Sequence, residues 1–291
     1  MLDPQELDRQ YNVRSTLSEH AGYMQRWAVQ SQSARNNLRC EANYRYGSGD
    51  RETVDIFPAR HANAPLLILI QSGDWHTRET RDLAFLAPAF VDTGIALALV
   101  HHASPRDTSL IEIVRQLLRA IVWIWHNAHD LGVDPQRMSV GGHAVGAHLA
   151  AMLLATQWPA YACDLPDRLL HGGVCISGLY DLIPVARAPF LRDALQLDEA
   201  AAHHLSPINY RPPHSLPLVT AVGSQESREH QRQNRLLAQV WTHCPVRDVA
   251  MPGHHHLSIL DALGDSNSAL FAATQQLIGI KQATSRIGVH R

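Results

Sequence analysis

The chain has 291 residues, 45% hydrophobic and 18% charged, with 25 Lys plus Arg against 27 Asp plus Glu and a formal net charge of -2. That apolar fraction can fill a core, which excludes general disorder, and the near-neutral balance gives no general pull toward nucleic acid or anionic lipid. No long uncharged apolar run is present and the start, MLDPQELDRQYNVR, is polar, so neither a membrane span nor a secretory leader is expected.

Four scattered cysteines, Cys40, Cys163, Cys175 and Cys244, form no CxxC pair, which points to a reducing, cytoplasmic setting. Nineteen histidines, with the pairs His101-His102 and His203-His204 and the triplet 254–256, raise the question of a metal.

In chain order, residues 5–40 read as helical and polar, with Tyr23, Met24 and Trp27 as contacts to a main body. Residues 43–57 read as two short strands around a Gly-Ser-Gly turn. The run LLILI at 66–70 suits a strand buried on both faces, and IALALV at 95–100 is the next one, after a helix-like stretch ending at Gly94. Residues 109–128 place Leu110, Ile113, Leu117, Ile121 and Trp125 at helical spacing. Asp134-Pro135 reads as a turn, followed by Arg137 to Val140 leading into a glycine pair and a small-residue helix over 147–155. Strands follow at 172–177, 217–222 and near 247–251, with helices at 227–242 and about 267–279; the Pro- and His-rich 181–215 excursion reads as a small lid or a plain surface insertion. Strands alternating with helices predict a mainly parallel sheet with helices on both faces, in one structural domain with an N-terminal helical cap over 1–40 and the sheet domain over 41–291.

The segment Ser139 to Leu149 passes from strand through small residues into helix. This is the context of the G-x-S-x-G nucleophile elbow, with Gly142 and Gly146 at its two glycine positions and Ala144 at its centre. A methyl group cannot attack a carbonyl, so covalent catalysis is not expected there. On spacing alone the segment is equally a glycine-rich strand-to-helix turn. Glu226 follows strand 217–222 and His256 follows the last short strand, which gives the order elbow, acid, histidine. Taken singly, Glu226 reads equally as a solvated loop carboxylate and His256 as a helix cap.

Taken together these stretches resemble the α/β-hydrolases, specifically the arylformamidase-like (kynurenine formamidase-like) esterase group. The resemblance runs from LDRQYNVR through RYGSGDRETVDIFPA, RDLAFLAPAFVDTGIALALV, SLIEIVRQLLRAIVWIWHNA, GAHLAAMLLATQWP and ISGLYDL to GHHHLSILD. It implies an α/β-hydrolase fold and cofactor-free hydrolysis of small aryl amides or esters. It also implies a triad of Ala144 (the vacated nucleophile position), Glu226 and His256, with oxyanion donors from the backbone of Ser72, Gly73 and Val145. The pocket residues would be Gln71, Asp74, Trp75, His101, His102 and His143.

The departures surround one pocket. Ala144 stands where the group carries serine, Gln71-Ser72 where it carries His-Gly, and His101-His102 where an Asn-Tyr-type pair is expected. Hydrolysis is therefore expected to be impaired. The alternatives are a pseudoenzyme that binds or regulates through a small ligand, and cofactor-free lyase or isomerase chemistry with His256 as base. Ser72 and His143 are the candidate substitute nucleophiles, and Arg78, Arg81 and Arg106 read either as a solvated face or as a rim favouring an anionic ligand. No HExxH, CxxC or paired-carboxylate spacing is present, so no metal and no cofactor is expected. The expected partner is a small aromatic or acyl molecule, with no nucleic acid and no membrane, and a homodimer stays open.

Overall fold

A computed structural model describes residues 3–71 and 82–279. Three helices come first: α1 (Pro4–Tyr11), α2 (Val13–Thr16) and α3 (His20–Asn37). Asp3 caps α1 by accepting from the Glu6 amide at 2.9 Å, and Pro4 occupies its first turn, where a missing N–H costs nothing. The sheet then begins with β1 (Glu41–Arg45), β2 (Thr53–Phe57) and β3 (Ala64–Ile70), followed by α4 (Ala87–Asp92) and β4 (Ala96–Val100). Next come α5 (Leu110–His126), β5 (Val133–His143), α6 (Val145–Leu154), α7 (Trp158–Tyr161) and β6 (Gly173–Ile176). The short helices α8 (Ile183–Arg187), α9 (Pro189–Leu195) and α10 (Glu199–His204) precede β7 (Leu218–Gly223) and α11 (Arg228–Val240). The described chain closes with β8 (Val246–Met251), α12 (Ser258–Gly264) and α13 (Ala269–Ile278).

The eight strands form one sheet in the order β1-β2-β4-β3-β5-β6-β7-β8. β2 runs antiparallel to both of its neighbours and every other pair is parallel. Period-two alternation sends each central strand into two cores at once. Leu66, Ile68 and Ile70 of β3, with Ala96, Ala98 and Val100 of β4, join the core that also holds Ile113, Leu117 and Ile121 of α5. Leu67, Leu69, Leu97 and Leu99 join the opposite core with Phe90 of α4 and Phe271 of α13. Burial on both faces explains why these strands read as continuous apolar runs.

The N-terminal helices pack onto the same body. Tyr11 at the end of α1 donates its hydroxyl to Glu229 of α11 at 2.9 Å. Trp27 of α3 is 2% exposed, stacks on Phe85 at 5.1 Å and donates its indole N–H to Asp261 at 2.7 Å. Tyr23 and Met24 lie partly buried against the second core, as expected of them.

Two expectations are corrected. Asp134-Pro135 does not separate elements but lies inside β5, in an irregularity between the pairs Ala64–Val133 and Leu66–Met138. The turn chemistry is still local: Asp134 accepts from the Gln136 amide at 2.9 Å and from Arg137 Nε at 2.8 Å. The 181–215 excursion is not a plain surface insertion. Leu182, Val185, Leu191, Leu195, Ala202 and Leu205 are buried within the first core, and His148 of α6 donates Nε2–H to the Leu205 carbonyl at 2.7 Å.

Candidate active site

The candidate residues gather at the carboxyl ends of four neighbouring parallel strands, the usual place for a site in an open α/β sheet. β5 ends at His143 and α6 starts at Val145, so Ala144 alone makes the turn. Its φ of 54° and ψ of -112° place a residue with a Cβ in a sparsely populated region. The sharpness of the turn explains the flanking glycine: a Cβ on Gly142 would sit 2.3 Å from the carbonyl carbon of Gly146. The Ala144 amide donates to the Ile176 carbonyl at 2.9 Å, which ties the turn to β6. Val145 opens α6, so its N–H belongs to the first-turn amides that have no intrahelical acceptor and face the helix mouth.

The acid and the histidine come from the loops after β7 and β8. These loops cross closely: a Cβ on Gly223 would sit 2.2 Å from the His254 carbonyl oxygen. They are stitched by Ser224 N–H to Met251 O at 3.0 Å, Gln225 N–H to His254 O at 3.0 Å and Gly253 N–H to Ser224 Oγ at 2.9 Å. Glu226 Oε2 meets His256 Nδ1 at 2.6 Å, and both side chains are buried. Glu226 Oε1 accepts from Ser177 Oγ at 2.6 Å and from the Gly223 amide at 2.7 Å. Burial pushes the Glu226 pKa up, but the charge and hydrogen bond of His256, with the Ser177 bond, outweigh it and bring it down to about 2. The carboxylate is therefore ionised at neutral pH. It holds His256 with the proton on Nδ1, so Nε2 is the nitrogen left to accept one.

Two further histidines flank His256, with ring centroids 4.3 Å away for His143 and 4.8 Å away for His230. His143 is buried at the end of β5, its ring tilted by 52° to that of His256, one residue before the elbow's central position. His230 lies on the first turn of α11 and is held neutral, its pKa lowered to about 4 by burial and then by the nearby His256.

The remaining expected pocket residues divide. Ser72, Gly73, Asp74 and Trp75, with Arg78 and Arg81, lie outside the described residues. Gln71 is fully buried after β3, and neither atom of its amide has a hydrogen-bond partner among the described residues. His101 and His102 do not join the dyad. They line a separate cavity of about 320 Å³ with Arg35, Asn43 and Asp55. There His101 Nε2 lies 3.1 Å from Asp55, which also pairs with Arg35 at 2.7 Å. Arg106 is exposed.

Ser177 and His230 were not singled out in the sequence. Ser177 stands within the family-like stretch ISGLYDL, but nothing in that stretch marks its hydroxyl as the support of an acid 49 residues away. His230 carries no spacing signal with the elbow; only the packing of α11 against β7 brings it there.

Comparison with known proteins supports the fold. The BD-FAE family model matches residues 54–160. A kynurenine formamidase of Salmo salar is 26% identical over 262 residues, covering 86% of this chain and 85% of that protein. The esterase LipQ of Mycobacterium tuberculosis is 29% identical over 240 residues, covering 72% of this chain and 55% of LipQ. Among solved structures, a Silicibacter protein provisionally described as a thioesterase superposes with a TM-score of 0.81 at 26% identity, covering 92% of this chain and 98% of that one. The carboxylesterase EstE1, from a metagenomic library, matches in fold with a TM-score of 0.69 at 16% identity, over 95% of this chain and 97% of its own. From its sheet order, its elbow and these likenesses, the chain has the α/β-hydrolase fold and is similar to the arylformamidase-like esterases.

Proposed function

We propose that this protein binds a small aromatic or acyl amide or ester at the elbow and, with alanine at position 144, hydrolyses it only slowly. The observation that carries this reading is the intact, buried Glu226–His256 pair beside an elbow that keeps its turn without a side-chain oxygen. The substrate class follows the kynurenine formamidases and esterases among the relatives. The four cysteines are all unpaired, which supports a cytoplasmic setting for the same reading.

The chemistry follows from the atoms present. A serine hydroxyl at 144 would give its proton to His256 Nε2, attack the carbonyl carbon and leave the developing oxyanion to the Val145 N–H. With a methyl group there, His256 has only water or an acidic substrate proton to work on. A triad that lacks one member retains a rate of roughly 10³–10⁴ over water from binding and the oxyanion hole.

The test is Ala144→Ser, assayed with p-nitrophenyl esters and N-formylkynurenine. Hydrolysis should rise by about 10³-fold or more, and adding His256→Ala should remove the gain. A folded Ala144→Ser variant with no increase on either substrate class overturns the proposal.

A further inference from the structure

Beyond the pair that serves hydrolysis, the structure brings together a third group that this chemistry does not use. We propose that Glu226, His230 and His256 form a binding site for a divalent transition-metal ion of the zinc type, and that the ion switches off the Glu226–His256 pair. This rests on the proposed function only for its consequence; the site itself is an arrangement of three side chains.

One donor atom from each of the three residues lies within 4.8 Å of the others, and all three residues are buried. Two imidazoles and a carboxylate are a ligand set that suits zinc, and donors around a tetrahedral zinc stand about 3.4 Å apart, given Zn–N bonds near 2.1 Å. Reaching that geometry means opening the 2.6 Å contact between Glu226 and His256 by about 0.8 Å and drawing the widest pair inward by up to about 1.4 Å.

The surroundings already provide the outer supports such ligands need. Glu226 Oε1 is fixed by Ser177 and the Gly223 amide, which leaves Oε2 as the coordinating oxygen. His230 Nδ1 lies 2.9 Å from Ser227 Oγ, which takes an Nδ1 proton and leaves the lone pair on Nε2. Burial keeps His230 neutral, the form that ligates. A cavity of about 220 Å³ is lined by Arg9, Gln10, Glu226, His230, His255 and His256, and has room for an ion with a water as fourth ligand.

The consequence for the pair follows from where the proton goes. Neutral His256 carries its proton on Nδ1, toward Glu226. When the Nδ1–metal bond forms, the Nδ1–H bond breaks and the proton moves to Nε2, so the ring stays neutral and no co-reactant is needed. Nε2 then holds a proton and can no longer accept one, and Glu226 Oε2 is bound to the metal instead of to His256. The dyad is lost as a base without any change in fold.

The experiment titrates zinc chloride into the full chain by calorimetry and uses cobalt(II) absorption to report tetrahedral coordination. The expected result is one zinc per chain and a cobalt spectrum of tetrahedral type, with affinity falling roughly tenfold or more in His230→Gln and again in His256→Gln. His203→Gln with His204→Gln, on an exposed helix end, should leave binding unchanged. Circular dichroism verifies that each variant is folded, and the two ligand variants lie on different elements, so loss of one fold leaves the other to be read. No stoichiometric zinc, or equal binding in folded His230→Gln, overturns the proposal. In an Ala144→Ser background zinc should also suppress ester hydrolysis, with His230→Gln relieving it. If that background proves inactive, the proposed function fails, while the binding and cobalt results still decide the metal site.

Discussion

Ala144 and Ser177 are both held at positive φ, 54° and 50°, at the ends of the neighbouring strands β5 and β6. At Ser177 the strain has a local return, since its amide donates to Ala221 at 2.8 Å and its hydroxyl fixes Glu226. At Ala144 the side chain makes no hydrogen bond, and the backbone keeps a turn whose use is to present an oxygen this residue lacks. Strain of this kind is worth about 1–3 kcal/mol, against about 0.5–1 kcal/mol of extra unfolded-state entropy for glycine. Ala144→Gly should therefore stabilise the protein by about 1 kcal/mol and raise the melting temperature by about 2 °C, readable by calorimetry. A lower melting temperature would show that the turn is unstrained in solution.

At the scale of elements, the sheet positions the site and α11 locks its surroundings. Gln233 of α11 accepts from the amides of Tyr180 and Asp181, both at 2.9 Å, and donates to the Asp181 carbonyl at 2.8 Å and to Tyr11 of α1 at 3.2 Å. One buried amide thus joins the N-terminal helix, α11 and the segment leaving β6. Gln233→Leu would strand several buried polar groups, so a loss of about 3 kcal/mol is expected from urea unfolding, with the dyad unchanged in sequence. A loss under 1 kcal/mol would mean that water replaces those bonds. The sequence made the elements themselves visible, because LLILI and IALALV are buried on both faces and the stretch from Leu110 to Ile124 repeats with helical period. The candidate elbow, acid and histidine were legible because each follows a strand, β5, β7 and β8 in turn. Gln233, Ser177 and His230 were not, since each acts on residues far away in sequence and no local pattern encodes a partner across the fold. Asp134-Pro135 misled for the opposite reason: its turn chemistry is real, but the strand continues past it.

For the whole molecule, buried histidines whose pKa is pushed down, His148 and His230 the furthest, shape the response to acid. His148 is fully buried, with Nε2–H donated to Leu205 and no hydrogen-bond partner at Nδ1, and burial lowers its pKa to about 4. His230 is also lowered to about 4, chiefly by burial. A base with a depressed folded-state pKa binds fewer protons folded than unfolded between the two values. Its contribution is therefore complete above the unfolded pKa near 6.5 and is lost as pH falls toward about 4, on the order of 3 kcal/mol for each group. Glu226 acts in a lower window, because its contribution is present above about 4.5 and is lost toward about 2. Stability should then drop steeply between pH 6.5 and 4, before the acid of the dyad is protonated, with about one proton taken up on unfolding at each of these two histidines. His148→Gln keeps a donor for the Leu205 carbonyl and removes the titrating ring. Its urea midpoint plotted against pH should fall with a slope smaller by about one proton, while His230 continues to titrate. An unchanged slope would place the acid sensitivity elsewhere in the chain.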